Sequence, residues 1–138
     1  MYCTRFDRKT YTEELIYLGH YINMTTQVNR GLTIDEYQYK SCLIQIIRNK
    51  KLPTLNKKIK INELFIMNLE DNDQGIATKA LDLFREKYSK KYKNLYGYDM
   101  VENGFFTRYA KSRKLKERKE VFDREYILFN LNEVKEAE

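Results

Sequence analysis

One junction constrains this chain more than any other: an apolar run, a glycine turn and an amphipathic helix in immediate succession. Leu64-Phe65-Ile66-Met67 reads as a strand. After Asn72-Asp73-Gln74-Gly75, apolar residues recur at Ile76, Ala80, Leu83, Phe84 and Tyr88, the spacing of one helix face. The first amides of such a helix have no partner within it, and Gly75 lets the backbone come close to whatever they meet. A strand, a tight turn and a helix N-terminus therefore make a place for an anion. The alternative reading is that Asp73 caps an ordinary helix.

The 138 residues suit one domain with one hydrophobic core. A hydrophobic share of 42% and a charged share of 33% indicate a globular chain, and no apolar run is long enough to cross a bilayer. The N-terminus lacks an apolar signal-peptide region, so the expected setting is cytoplasmic, without membrane contact. Two cysteines, Cys3 and Cys42, and a lone His20 have no zinc-site or disulfide-scaffold spacing, so no metal is expected. Cys42 reads as a core residue and His20 as a half-buried, hydrogen-bonded one.

The remaining elements are expected as follows. Tyr11, Leu15, Leu18 and Ile22 share a helical face after an N-cap at Thr12. Thr33-Ile34-Asp35-Glu36 fits a capping box, predicting a helical turn over Ile34 to Tyr37. Strands are expected from Lys40 to Ile47 and from Lys60 to Met67, joined by a lysine-rich loop from Arg48 to Lys58. The Gly75 helix should reach about Tyr92, followed by a strand over Leu95 to Met100. A helix from Gly104 to Glu120 and a strand from Val121 to Leu131 complete the chain, with a frayed tail from Asn132. The fold class is α/β, a single domain with a mixed, mostly antiparallel sheet flanked by helices.

From Glu63 through Leu81 the chain resembles motif A of the GNAT-type N-acetyltransferases: a strand, then Arg or Gln, two residues, Gly, one residue, Gly or Ala, and a helix. Asn72 stands where that family usually has Arg or Gln, and Ala77 takes the second glycine position. The likeness extends more weakly over Leu95 to Met100, where that fold places a strand splayed from its neighbour. It continues over Phe105 to Lys111, which looks like the aromatic-rich helix that follows. The resemblance implies acetyl-CoA as cofactor and direct attack on it by an amine, carried by a protein or a small molecule. The cofactor would meet Met67, Asn68 and Leu69 along its pantetheine arm, and Asn72, Gln74, Gly75, Ile76, Ala77 and Thr78 at its pyrophosphate. Glu63 is the candidate base and Tyr109 the candidate acid, with Phe106 competing for the same register.

A net charge of +6 supports a different class of function. Basic clusters at Arg48 to Lys60 and Lys111 to Lys119, with Lys87, Lys90, Lys91 and Lys93, suit nucleic-acid phosphates or a protein partner. The alternative is thus a non-enzymatic basic binding protein, a short lysine-rich chain of a kind that mobile elements carry. The plain reading of both clusters is solvated surface.

Overall fold

The computed structural model describes residues 13–53, 58–68, 75–99, 104–121 and 125–135. Its elements run β1 (Ile16–Ile22), β2 (Thr33–Tyr39), β3 (Cys42–Pro53), β4 (Lys58–Asn68), α1 (Ile76–Lys87), a 3-10 turn (Ser89–Lys91), β5 (Leu95–Asp99), α2 (Phe105–Arg113), β6 (Leu115–Val121) and β7 (Glu125–Val134). The seven strands form one sheet in the order β1-β2-β3-β4-β5-β7-β6. All neighbours are antiparallel except β4 and β5, which run parallel. The α/β class and the mixed sheet agree with expectation, but the chain is richer in strand than its sequence suggested.

The main differences concern helices that turn out to be strands. Ile16 to Ile22 pairs along β2, with a register shift between Tyr17 and Gly19. That bulge breaks strict alternation, and a broken period of two passes for helical spacing. The Thr33 capping box is likewise overturned. Thr33–Tyr39 is paired on both sides, with β1 and with β3, so its backbone groups are satisfied by ladders rather than by a helical turn. Its residues alternate, Tyr37 and Tyr39 facing the helices.

The lysine-rich loop is also mostly strand. Past an irregularity between Ile47 and Lys50, β3 continues to pair with β4 through Lys50↔Ile61, Lys51↔Lys60 and Leu52↔Ile59. Leu52, Ile61, Tyr96 and Leu128 close into a small second core there, which repays carrying the hairpin so far. The expected helix from Gly104 to Glu120 stops at Arg113. Lys114 takes a left-handed conformation (φ 56), and the chain returns as β6. Leu115 is buried, while Lys116, Glu117 and Lys119 are exposed on this edge strand, where charge discourages further pairing. β7 continues to Val134, opposite Leu115, so the first tail residues are ordered. His20 is exposed, with its Nδ1 3.0 Å from the Tyr17 hydroxyl. The N-cap at Thr12 lies outside the described residues.

Both helices cover one face of the sheet. Ala80, Leu81 and Phe84 of α1 pack with Phe106, Tyr109 and Ala110 of α2 over Tyr37, Ile44, Ile46, Leu64 and Leu95. Phe84 is fully buried, edge-on to Tyr37 (5.0 Å between ring centroids) and stacked with Tyr92 (6.1 Å). Phe84→Ala should therefore lower unfolding free energy by about 3–5 kcal/mol in urea titrations followed by circular dichroism. A loss below about 1 kcal/mol would mean that this cluster does not hold α1 to the sheet.

Candidate ligand cleft

β4 and β5 pair only at Asn62↔Leu95 and Glu63↔Tyr96. Beyond Glu63 they diverge, and the β5-facing edge of Leu64 to Met67 has no strand beside it among the described residues. A cavity of about 420 Å³ fills the gap. Leu64, Phe65, Ile66 and Met67 line it from β4, Tyr98 and Asp99 from β5, Phe105 and Phe106 from α2, and Ala77 from α1; Glu63 and Asn68 mark its two ends along β4. The walls are mostly apolar.

The α2 side is fixed by two close fits. A Cβ on Gly97 would run into the Phe106 ring, so glycine is what admits that ring against β5. Asp99 then caps α2. Its Oδ1 accepts from the Phe106 N–H at 3.3 Å, and its Oδ2 accepts from the Thr107 N–H at 2.6 Å and the Thr107 hydroxyl at 2.7 Å. Gly104 fits against that carboxylate, since a Cβ would lie 2.6 Å from its carbon. The N-terminus of α2 thus already holds an anion of the chain's own.

The N-terminus of α1 contrasts with it. Gly75 is the N-cap at φ 88, without a side-chain cap and without an acidic residue in the first turn. The N–H of Lys79 returns to the Gly75 carbonyl at 2.9 Å, so the regular helix ladder begins there. The amides of Ile76, Ala77 and Thr78 precede that ladder, and Ala77 faces the cavity. A Cβ on Gly75 would meet nothing within 4 Å, so glycine is required here by its positive φ rather than by crowding.

Of the expected site residues, Glu63, Met67, Asn68 and Ala77 line the cavity, with Gly75, Ile76 and Thr78 at the adjoining helix end. Leu69, Asn72 and Gln74 lie outside the described residues. Glu63 is buried and bonded to the Lys50 ammonium at 2.9 Å. Tyr109 does not reach the cleft lining. Its hydroxyl donates to Asp82 Oδ1 at 2.5 Å and accepts from Arg85 at 3.3 Å, while the Arg113 guanidinium lies 4.2 Å from its ring centroid. Arg113 also bonds both Asp82 oxygens at 2.7 Å, so this network ties α2 to α1. Phe106, the competitor for its register, is the residue in the wall. Sequence reasoning missed Tyr98, Asp99 and the Gly97–Phe106 fit, although Tyr96-Gly97-Tyr98, a glycine within an aromatic strand, was a signal of close approach.

Among the described residues no cluster suits a metal ion, and no helix is long and apolar enough to cross a membrane. Comparison with family models, with curated proteins and with solved structures returned no match.

Two expected outcomes follow from these contacts. Asp99→Ala removes the α2 cap and should cost about 1 kcal/mol of unfolding free energy, read from denaturant midpoints. An unchanged midpoint would show that the cap contributes nothing. Burial, with the Asp82 hydrogen bond, pushes the Tyr109 phenol up to about 12, and burial likewise raises Tyr37 to about 12. The folded state thus keeps protons that the unfolded chain releases near 10, the ordinary tyrosine value. The stability tied to these protons is intact below pH 10 and is lost as pH rises towards 12. Tyr109→Phe should lose stability less steeply across that window, as read by circular dichroism. An identical slope would count against the shift.

Proposed function

We propose that the cleft binds acetyl-CoA and that the chain is an N-acetyltransferase. The observation that carries this reading is the opened parallel pair beside a helix N-terminus that has no capping side chain among the described residues. A thin apolar slot between two strands suits an extended, mostly uncharged arm. The α1 amides and dipole suit the pyrophosphate at the end of that arm. The α2 end cannot serve, because Asp99 fills it.

The cofactor would supply a thioester carbonyl activated for attack by an amine. The chain's contribution is positioning and proton transfer. The edge of β4 from Leu64 to Met67, with no strand beside it among the described residues, offers backbone groups to align the arm. Glu63, at the root of the splay, is the group to accept the amine's proton, with the Lys50 ammonium holding the carboxylate in place. Tyr98 is the phenol in the lining and a candidate to protonate the leaving thiolate. Tyr109 would take that role only by leaving Asp82, which its hydrogen bond opposes. The acceptor is an amine on a protein or a small molecule.

Ala77→Glu tests the site without straining the turn. A glutamate in the first helical turn is favourable for the helix, yet sets a carboxylate where the pyrophosphate would lie. Acetyl-CoA binding measured by calorimetry should weaken at least about tenfold, with the fold retained by circular dichroism, because like charges then share a partly desolvated site. Absence of binding heat by the unaltered chain at millimolar acetyl-CoA would overturn the proposal.

A further inference from the structure

A second cavity, of about 320 Å³, lies at the other end of the β4–β5 pair, where the strands are still joined. It shares no lining residue with the cleft. Its floor is a buried polar chain. Asp35, 2% exposed, accepts two bonds from the Arg48 guanidinium (2.7 and 2.5 Å) and one from the Tyr92 hydroxyl (2.6 Å). Since Tyr92 donates to Asp35, the Tyr37 hydroxyl donates to Tyr92, at 2.6 Å. The one carboxylate lining the cavity among the described residues is thereby answered by Arg48, and burial together with the Asp35 bond keeps the Tyr92 proton in place.

What remains unanswered is positive. Arg48 and Lys91 against Asp35 leave one net positive charge in the lining. Lys91 pairs with no carboxylate among the described residues, and its ammonium rests over the rings of Tyr17 and Tyr88, at 5.6 and 5.8 Å. The Arg48 side chain is 41% exposed, with Nε and one terminal nitrogen held by Asp35 and the other terminal nitrogen unbonded among the described residues. Asn49 sits at the β3 irregularity with φ 56; its N–H is held by Asn62 at 2.9 Å, and its side-chain amide is unbonded among the described residues. Lys91, Arg48 and Asn49 therefore border one concave space, and among the described residues its lining holds no carboxylate besides the paired Asp35 to oppose an anion. Lys90 and Lys93, both exposed, flank Lys91 and Tyr92 in the chain and strengthen the positive field.

We infer that this cavity is a phosphate site, fitted to the phosphate of a nucleotide, either free or within a single strand. Arginine and lysine together with an amide match a tetrahedral oxyanion, and the volume leaves room for the group attached to it. The inference is independent of the acetyl-CoA reading, because the two cavities lie at opposite ends of the β4–β5 pair.

The test titrates the full chain with inorganic phosphate, with adenosine monophosphate and with a short single-stranded oligonucleotide, following amide chemical shifts. Saturable shifts at Asn49 and Lys91 are expected with phosphate and with the mononucleotide, each displacing the other. Lys91→Glu should weaken binding by about tenfold or more, since it reverses one of two contacting charges. Asn49→Asp should act in the same direction, and it suits the left-handed backbone, which aspartate tolerates. Ala77→Glu, in the other cavity, should leave binding unchanged. An oligonucleotide that binds at the same residues and is displaced by the mononucleotide identifies a nucleic-acid strand as the source; one that does not bind identifies the free nucleotide. Shifts that persist in both Lys91→Glu and Asn49→Asp, or no saturable shift with any of the three probes, would overturn the inference. So would loss of binding in Ala77→Glu alone.

Discussion

The two-pair limit on the β4–β5 ladder is the constraint from which the rest of the molecule is arranged. A parallel pair in mid-sheet normally runs on, because each unmade ladder bond leaves polar backbone groups to satisfy elsewhere. Here β3 and β4 stay engaged on one side from Cys42↔Asn68 to Pro53↔Lys58, apart from the irregularity between Ile47 and Lys50, and β5 and β7 on the other. The opening is therefore a gap between two firm half-sheets rather than a frayed edge. Phe106 against Gly97 and the Asp99 cap place α2 along one wall, and α1 begins at the other. The cavity is what these packing choices leave between them.

The two helix ends bordering the gap differ in a way that bears on function. α2 carries an internal anion at its N-terminus, held by three hydrogen bonds to Asp99. α1 carries a glycine in the left-handed region and, among the described residues, no capping side chain. Both helices have basic residues in their last turns, Arg85 and Lys87 in one, Lys111 and Arg113 in the other, so each dipole is complemented at its C-terminal end. Only the start of α1 lacks its complement among the described residues. The Asp82–Arg113–Tyr109 network fixes the two helices to each other, which keeps that start in register with the cavity.

Much of the second half was legible in the sequence because its signals are local and unambiguous. The 3.6 spacing from Ile76, the aromatic alternation at Leu95 and the glycine at 75 each point to one conformation. The first forty residues were not legible, since a bulge at Gly19 disguises β1 and a formally good capping box sits within β2. In both cases pairing on the sheet outweighs the local preference, and pairing partners are invisible to a window of ten residues. The site shows the same division. The β4 wall and the α1 end follow from local pattern, whereas Asp99 capping α2 depends on how the end of β5 meets the start of α2. Tyr109, one helical turn beyond Phe105, faces Asp82 rather than the cavity because α1 lies beside it, and no periodicity of α2 alone records that neighbour.

A gap that opens at one end only requires the other end to be held, and the residues that hold it come from four strands. The Asn62 N–H donates to the Asn94 carbonyl, and its side chain donates to that of Lys93 at 2.6 Å. Asn132 of β7 donates to the carbonyls of Ser89 and Tyr92. Asp35 of β2, held by Arg48 of β3, receives the Tyr92 hydroxyl from the same segment. The stretch from Ser89 to Asn94 is thus fastened at β2, β4 and β7 before β5 begins. Breaking one partner of such a buried ionic group leaves the other uncompensated, so this end resists opening more strongly than apolar packing alone would. The fastening also explains why the second cavity lies where it does. Polar groups gathered to pin the strands cannot all be turned inward, and the guanidinium edge, ammonium and amide left facing outward make the pinned end electropositive. The gap at the splayed end and the charge at the pinned end are two consequences of one ladder stopping after Glu63.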